Sequence, residues 1–226
     1  MIKRQLISVI GIEIIDIDLF YHFINYYDPY VDEFSIVFNY QNSDFLESFY
    51  EMVPSNKRMN VKLWDGLYNE HTKSNHINNI INQENKSSII ADHDEFIEFN
   101  EDFFECPKDK YNTGSLIERF HLQDNKIVLR KVQRDESLFN QFEYKYNFGN
   151  FRAISKICYV HQNMNVSLGH HNLIEKKGIH CSTNVHHFKY DSFFPKVVEN
   201  VLTNKFGFQH EIEKVNNFIT TEKLSI

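Results

Sequence analysis

The chain is short of the residues that staple, link or anchor a fold. Its three cysteines, Cys106, Cys158 and Cys181, are odd in number and far apart. That spacing excludes a disulfide framework, a zinc-finger pattern and a Cys-x-x-Cys redox pair, and leaves reduced, mostly buried thiols as the expectation. Seven glycines and four prolines form no Gly/Ser/Pro-rich linker. With no internal repeat either, a single domain is expected over residues 1–226. No apolar run comes near the ~20 residues that a membrane span needs. The N-terminus is basic at Lys3 and Arg4, but Glu13, Asp16 and Asp18 interrupt the apolar stretch behind it. Neither a signal peptide nor a transmembrane segment is expected, and the location read from these features is cytoplasmic. Basic charge is scarce too. The formal net charge of −7 argues against a general nucleic-acid binder, because phosphate backbones demand a basic surface. A local basic pocket for one nucleotide stays open.

What is present is enough for a core: 42% of the 226 residues are hydrophobic and 24% charged, the balance of an ordinary soluble domain. Residues 6–10 are rich in β-branched side chains and predict a buried strand. Residues 18–27 carry Leu19, Phe20, Phe23, Ile24 and Tyr27 at helical spacing, and Asp28-Pro29 ends that helix by removing an amide donor. A strand at 34–38 follows, then a helix opened by Ser43-Asp44 with Leu46, Phe49 and Met52 on one face. A strand at 61–64 and a helical segment within 65–82, with Ile77, Ile80 and Ile81, complete the alternation. It predicts an α/β fold with a mostly parallel central sheet and helices on both faces, residues 1–100 being a Rossmann-like nucleotide-binding half. Residues 101–205 form a second half with strands at 126–131 and 156–161 and a helix at 195–205; 206–226 is a polar tail. Phe103, Phe104, Phe120, Phe139, Phe142, Phe148 and Phe151 crowd the middle of the chain and read as core.

The stretch richest in chemistry is Ile89-Ile90-Ala91-Asp92-His93-Asp94-Glu95-Phe96. An apolar run ending in acids reads as a strand buried on both faces, with its carboxyl end at the rim where open α/β sheets bind ligands. If the backbone stays extended there, Asp92 and Asp94 point to the same side and His93 to the other. Two hard oxygen ligands on one side suit Mg²⁺ or Mn²⁺, which share a few carboxylates with water and a substrate phosphate. Ile10 to Glu13, and Asn39 with Tyr40, end the first two strands and are the expected nucleotide contacts. Trp64 and Asp65, ending the third, are expected at the base.

In order, the first strand, Glu13, the helix ending Tyr26-Tyr27-Asp28, the segment 31–44 and the segment 89–99 resemble nucleotide-sugar glycosyltransferases of the GT-A fold. The groups resembled are family two and the family-ninety-two-like proteins. The likeness continues through Gly114-Ser115-Leu116-Ile117-Glu118-Arg119-Phe120, Lys156, Gly169-His170-His171 and His187-Phe188-Lys189, and so spans roughly residues 6–200. It implies a metal-dependent glycosyltransferase. A sugar would move, with inversion, from a nucleotide diphosphate sugar, UDP-sugars favoured, to a glycan or other hydroxyl acceptor. Such chemistry needs the charge growing on the leaving diphosphate neutralised and a proton taken from the acceptor. The resemblance makes Asp94 a direct ligand of Mn²⁺ or Mg²⁺ and Asp92 a ligand or a ribose contact. His170 or His171 completes the metal site. Glu118 is the implied catalytic base, one methylene longer than the Asp more usual before the arginine. Lys73, His187 and Lys189 are implied donor contacts, and residues 135–150 help form the acceptor side.

Two rivals use the same residues. A metal-dependent phosphoryl-transfer or phosphoester-hydrolysing enzyme also places paired carboxylates at a strand end. A catalytically silent domain would bind the sugar nucleotide and leave it unchanged.

Overall fold

Strands that are apolar on both sides need cover on both faces, and the computed structural model provides it. It describes residues 3–11, 16–39, 43–66, 69–83, 86–124, 126–146, 155–167, 172–175 and 177–188. β1 (Arg4–Ile10), α1 (Ile17–Tyr27), β2 (Glu33–Asn39), α2 (Ser43–Met52), β3 (Arg58–Trp64), α3 (Glu70–Gln83) and β4 (Ser87–Ile90) alternate as expected. β1 lies parallel to both β2 and β4, and β2 parallel to β3. Because successive strand residues face opposite ways, Leu6, Ile10, Phe34, Ile36, Phe38 and Ile89 pack with Phe20, Phe23 and Phe49 of α1 and α2. Ile7, Val9, Val37 and Ile90 pack on the other face with Ile77, Ile80 and Ile81 of α3. α1 starts where it does because Asp16 Oδ1 accepts the Asp18 and Leu19 amides at 2.8 and 3.3 Å, a cap that contributes about 1 kcal/mol. Past Tyr27 the chain tightens into a short 3-10 turn, Asp28–Tyr30, at the proline.

The second half is mixed: β5 (Glu95–Ile97), β6 (Lys110–Gln123), β7 (Lys126–Val128), α4 (Leu138–Gln141), β8 (Tyr144–Tyr146), β9 (Ser155–His161) and β10 (Gly178–His187). The sheet runs β3-β2-β1-β4-β9-β6-β10-β5, with β7 and β8 paired to β6. β9 is antiparallel to β4 and to β6, β10 is parallel to β6, and β5 is antiparallel to β10. The single curled α/β sheet with helices on both faces is therefore as read from the sequence. β7 is shorter than the expected strand at 126–131: it ends at Val128, and beyond it Arg130 forms a lone bridge, its side chain paired with Glu136 at 2.7 Å. β6 and β10 were not expected. The helix expected at 195–205 and the tail 206–226 lie outside the described residues.

Phe103, Phe120 and Phe142 are fully buried, and Phe104 and Phe139 pack against the cluster that holds Phe103 and Phe142, so the mid-chain aromatics described are core; Phe148 and Phe151 lie outside the described residues. Cys106 and Cys158 are buried free thiols and Cys181 a half-buried one. Among the described residues no helix is long and apolar enough to cross a membrane.

Candidate functional site

The sheet order reverses at β1, with β2 and β3 on one side and β4 on the other. The crevice outside the carboxyl ends of β1 and β4 is thus the switch point where ligands of such sheets bind. Ala91 still donates its amide to Ile7 O at 3.3 Å, and then the chain leaves the sheet. Asp92 N–H donates to Glu95 Oε2 at 3.1 Å and Glu95 N–H to Asp92 O at 3.0 Å, closing a tight turn. The extended backbone assumed for the acidic stretch is not found. In its place the turn sends Asp92 and Asp94 into two different clusters.

Asp92 meets two ammonium groups. Lys73 Nζ, from the first turn of α3, is 2.5 Å from Asp92 Oδ1, and Lys156 Nζ, from β9, is 3.4 Å from Asp92 Oδ2. Lys156 also lies 3.0 Å from Glu95 Oε1. Burial works to strip the Lys156 proton, but Glu95 and then Asp92 outweigh it and hold the group charged. Glu95 had no expected role, and Lys156 entered only as part of the family resemblance. The signal for both was a charged residue inside an otherwise apolar strand, which is stable only when paired.

Asp94 belongs to a row built by strand register. β10 sets His187 opposite Glu118 of β6 on one side and opposite Glu95 of β5 on the other. The Phe188 amide donates to Asp94 O at 2.9 Å, tying the acidic turn to the end of β10. His187 Nδ1 is then 3.1 Å from Glu118 Oε1, and Nε2 is 3.1 Å from Asp94 Oδ2. Burial would lower the His187 pKa, but Glu118 and Asp94 raise it well above the ordinary imidazole value. Burial likewise works to raise the Asp94 pKa, and His187 brings it below the ordinary carboxylate value. Arg119 turns elsewhere, donating from Nε to His186 Nδ1 at 3.1 Å. Burial, and then Arg119, depress the His186 pKa to about 4.

Of the remaining expected contacts, Ile10 puts its side chain into the core beneath α1. Asn39 is buried at the end of β2. Its Nδ2 donates to Gly66 O at 2.7 Å, and its Oδ1 has no hydrogen-bond partner among the described residues. Trp64 packs against His76 with ring centroids 5.3 Å apart. Glu13, Tyr40, His170, His171 and Lys189 lie outside the described residues.

Among the described residues no three His, Cys, Asp or Glu side chains converge as a ready metal site. Mg²⁺-type ions held together with phosphate need only one or two protein ligands. Asp94 Oδ2 supplies one such carboxylate oxygen, and His187 Nε2 lies 3.1 Å from it.

No family model matches the chain, and no curated protein does. HddC from Yersinia pseudotuberculosis is similar over 86% of this chain and 98% of its own, at 11% identity and a TM-score of 0.47. The inositol-1-phosphate CTP transferase from T. maritima is similar over 88% of this chain and 95% of its own, at 12% identity and a TM-score of 0.43. A Bacillus anthracis protein described as a glucose-1-phosphate thymidylyltransferase is similar over 70% and 69%, at 10% identity and a TM-score of 0.38. The last two are named as transferases of nucleotidyl groups, and none of the three is named a glycosyltransferase. The expectation of glycosyl transfer to a glycan acceptor is corrected on that finding. Physically, an acidic rim on a Rossmann-like sheet leaves open which bond is broken, because one fold hosts many chemistries. At these scores the likeness carries no activity or substrate to this chain.

Proposed function

We propose that this chain is a transferase of nucleotidyl or phosphoryl groups that binds a nucleoside triphosphate at the rim of β1, β2 and β4. The observation that carries the reading is the pair of buried ammonium groups, Lys73 and Lys156, converging at the switch point. An apolar pair of similar volume would hold the fold as well as a buried ion cluster does, so two lysines at a ligand rim point to an anionic ligand. An ammonium carries three donors, and phosphate oxygens accept such donors in charge-assisted bonds. Moving a phosphoryl-type group is mainly a matter of positioning and of neutralising charge on the phosphate oxygens. Lys73 and Lys156 supply part of that charge, and Asp92 with Glu95 sets where the two ammonium groups sit. A divalent cation held by Asp94 and His187 would neutralise the leaving oxygens when bound. Asn39 Oδ1 is an acceptor for the nucleoside.

The test is a thermal-shift screen of ATP, GTP, CTP, UTP and dTTP with Mg²⁺, followed by pyrophosphate release with sugar 1-phosphates. A nucleotide at a hundred times its Kd stabilises by about 2.7 kcal/mol, and Lys73→Met or Lys156→Met should abolish that shift. Absence of any nucleotide shift sinks the reading; binding without turnover of any phosphorylated acceptor leaves the silent domain instead.

A further inference from the structure

We infer that Glu118 is a positioning residue: it holds the ring of His187 so that Nε2, together with Asp94, seats a divalent cation at this rim. The inference deepens the reading above, since a cation here serves nucleotide phosphates. Glu118 had been expected to take a proton from a substrate. In the fold it lies behind His187, only 7% exposed, with Oε1 3.1 Å from Nδ1. The ring separates it from Asp94, whose Oδ2 is 3.1 Å from Nε2 on the far side. A substrate hydroxyl at the rim therefore meets Asp94 and the edge of the ring before it meets Glu118.

Connectivity decides the role. A metal-binding histidine donates its second N–H to a carboxylate, which fixes the tautomer and the ring plane and makes the free nitrogen a better ligand. Glu118 is that carboxylate, and it is held in register by the pairing of β6 with β10. Nε2 and Asp94 Oδ2 are 3.1 Å apart, close to the ~3 Å between adjacent ligands of an octahedral ion with bonds of about 2.1 Å. On binding, the ion takes the place of the Nε2 proton, which leaves to solvent. Asp92 takes no part, because its oxygens face Lys73 and Lys156.

The experiment uses the full chain and Mn²⁺ alone, without nucleotide. Electron spin-echo spectroscopy of the wild-type protein should show ¹⁴N coupling from one imidazole, lost together with tight binding in His187→Gln. Glu118→Gln keeps the shape of the side chain and should weaken Mn²⁺ about 10- to 100-fold. In the wild-type protein with Mg²⁺, ¹⁵N NMR should find the His187 proton on Nδ1. A manganese site without nitrogen coupling, a folded Glu118→Gln protein of unchanged Mn²⁺ affinity, or a proton on Nε2 with bare Nδ1 overturns the inference. The two spectroscopic measurements need no variant, so they decide even if Glu118→Gln fails to fold. If nucleotides bind through Lys73 and Lys156 while no Mn²⁺ seat is found, this inference alone fails. If Mn²⁺ is seated as described and no nucleotide binds, only the transferase reading fails.

Discussion

Replacing His187 with leucine probes the charge pattern of the metal-free site. His187 lies 3.1 Å from both Glu118 and Asp94. The variant keeps an apolar side chain in place but leaves two carboxylates facing each other without the imidazolium between them. Removing one member of a buried ion pair costs about 3–5 kcal/mol. The Asp94 and His187 side chains keep 20% and 17% exposure, so the low end, ~3 kcal/mol, applies after solvent screening. For a chain of this size 1 kcal/mol moves Tm by ~2–4 °C, which gives a fall of ~6–12 °C near pH 6. The pH dependence follows from the direction of each shift. His187 is raised above the free-imidazole value of about 6.5. Its contribution is therefore complete below that value and is lost as pH climbs through the folded-state pKa. Asp94 is lowered, so its contribution is present above the ordinary carboxylate value of about 3.9 and is lost as pH falls through its folded-state pKa. The deficit of the variant should be widest between about pH 4 and 6.5 and shrink towards both ends. Calorimetric melts of both proteins in chelator, across a pH series, measure it. A variant that melts with the wild type at pH 6, or a deficit that widens steadily above pH 6.5, would falsify the charged chain of three groups.

Other perturbations test the frame around the site. Gly114→Ala would drive a methyl into Val185 Cγ2 and to within 2.7 Å of Cys158 Sγ; overpacking of about 1–3 kcal/mol should lower the denaturant midpoint at unchanged slope. Tyr27→Phe removes the hydroxyl that accepts the Ile97 amide at 3.0 Å and donates to Glu95 O at 3.0 Å. A loss of about 1–3 kcal/mol is expected, with faster hydrogen exchange at Ile97; unchanged exchange there would refute the bridge. Lys86→Met breaks the buried pair with Glu33, 2.8 Å apart at the amino ends of the strands. Stability should drop by about 3–5 kcal/mol while nucleotide-induced shifts persist, and loss of those shifts would show that the two ends of the sheet are coupled.

The first half of the fold could be read without coordinates because its signals are local. Five-residue stretches with four apolar side chains, the helical spacing of Leu19, Phe20, Phe23 and Ile24, and the stop at Asp28-Pro29 each act within a few residues. β6 hid because buried polar residues interrupt its pattern. Asn112, for example, is fully buried and made tolerable by a 2.6 Å bond from its Nδ2 to Phe103 O.

The sequence by itself determined the alternating α/β half, the acidic stretch that follows the fourth strand, the free thiols and the residue types available for chemistry. Tertiary structure alone decided which of those residues meet. Asp94 and His187 are 93 positions apart, Glu118 and His187 are 69 apart, and Lys156 lies 64 from Asp92. Their approach depends on strand order and register, which the packing of the whole sheet sets and no local periodicity encodes. The turn at Asp92 obeys the same rule. Its hydrogen bonds to Glu95 form only where the strand leaves the sheet, and they send two acids, neighbours but for one residue, to opposite partners.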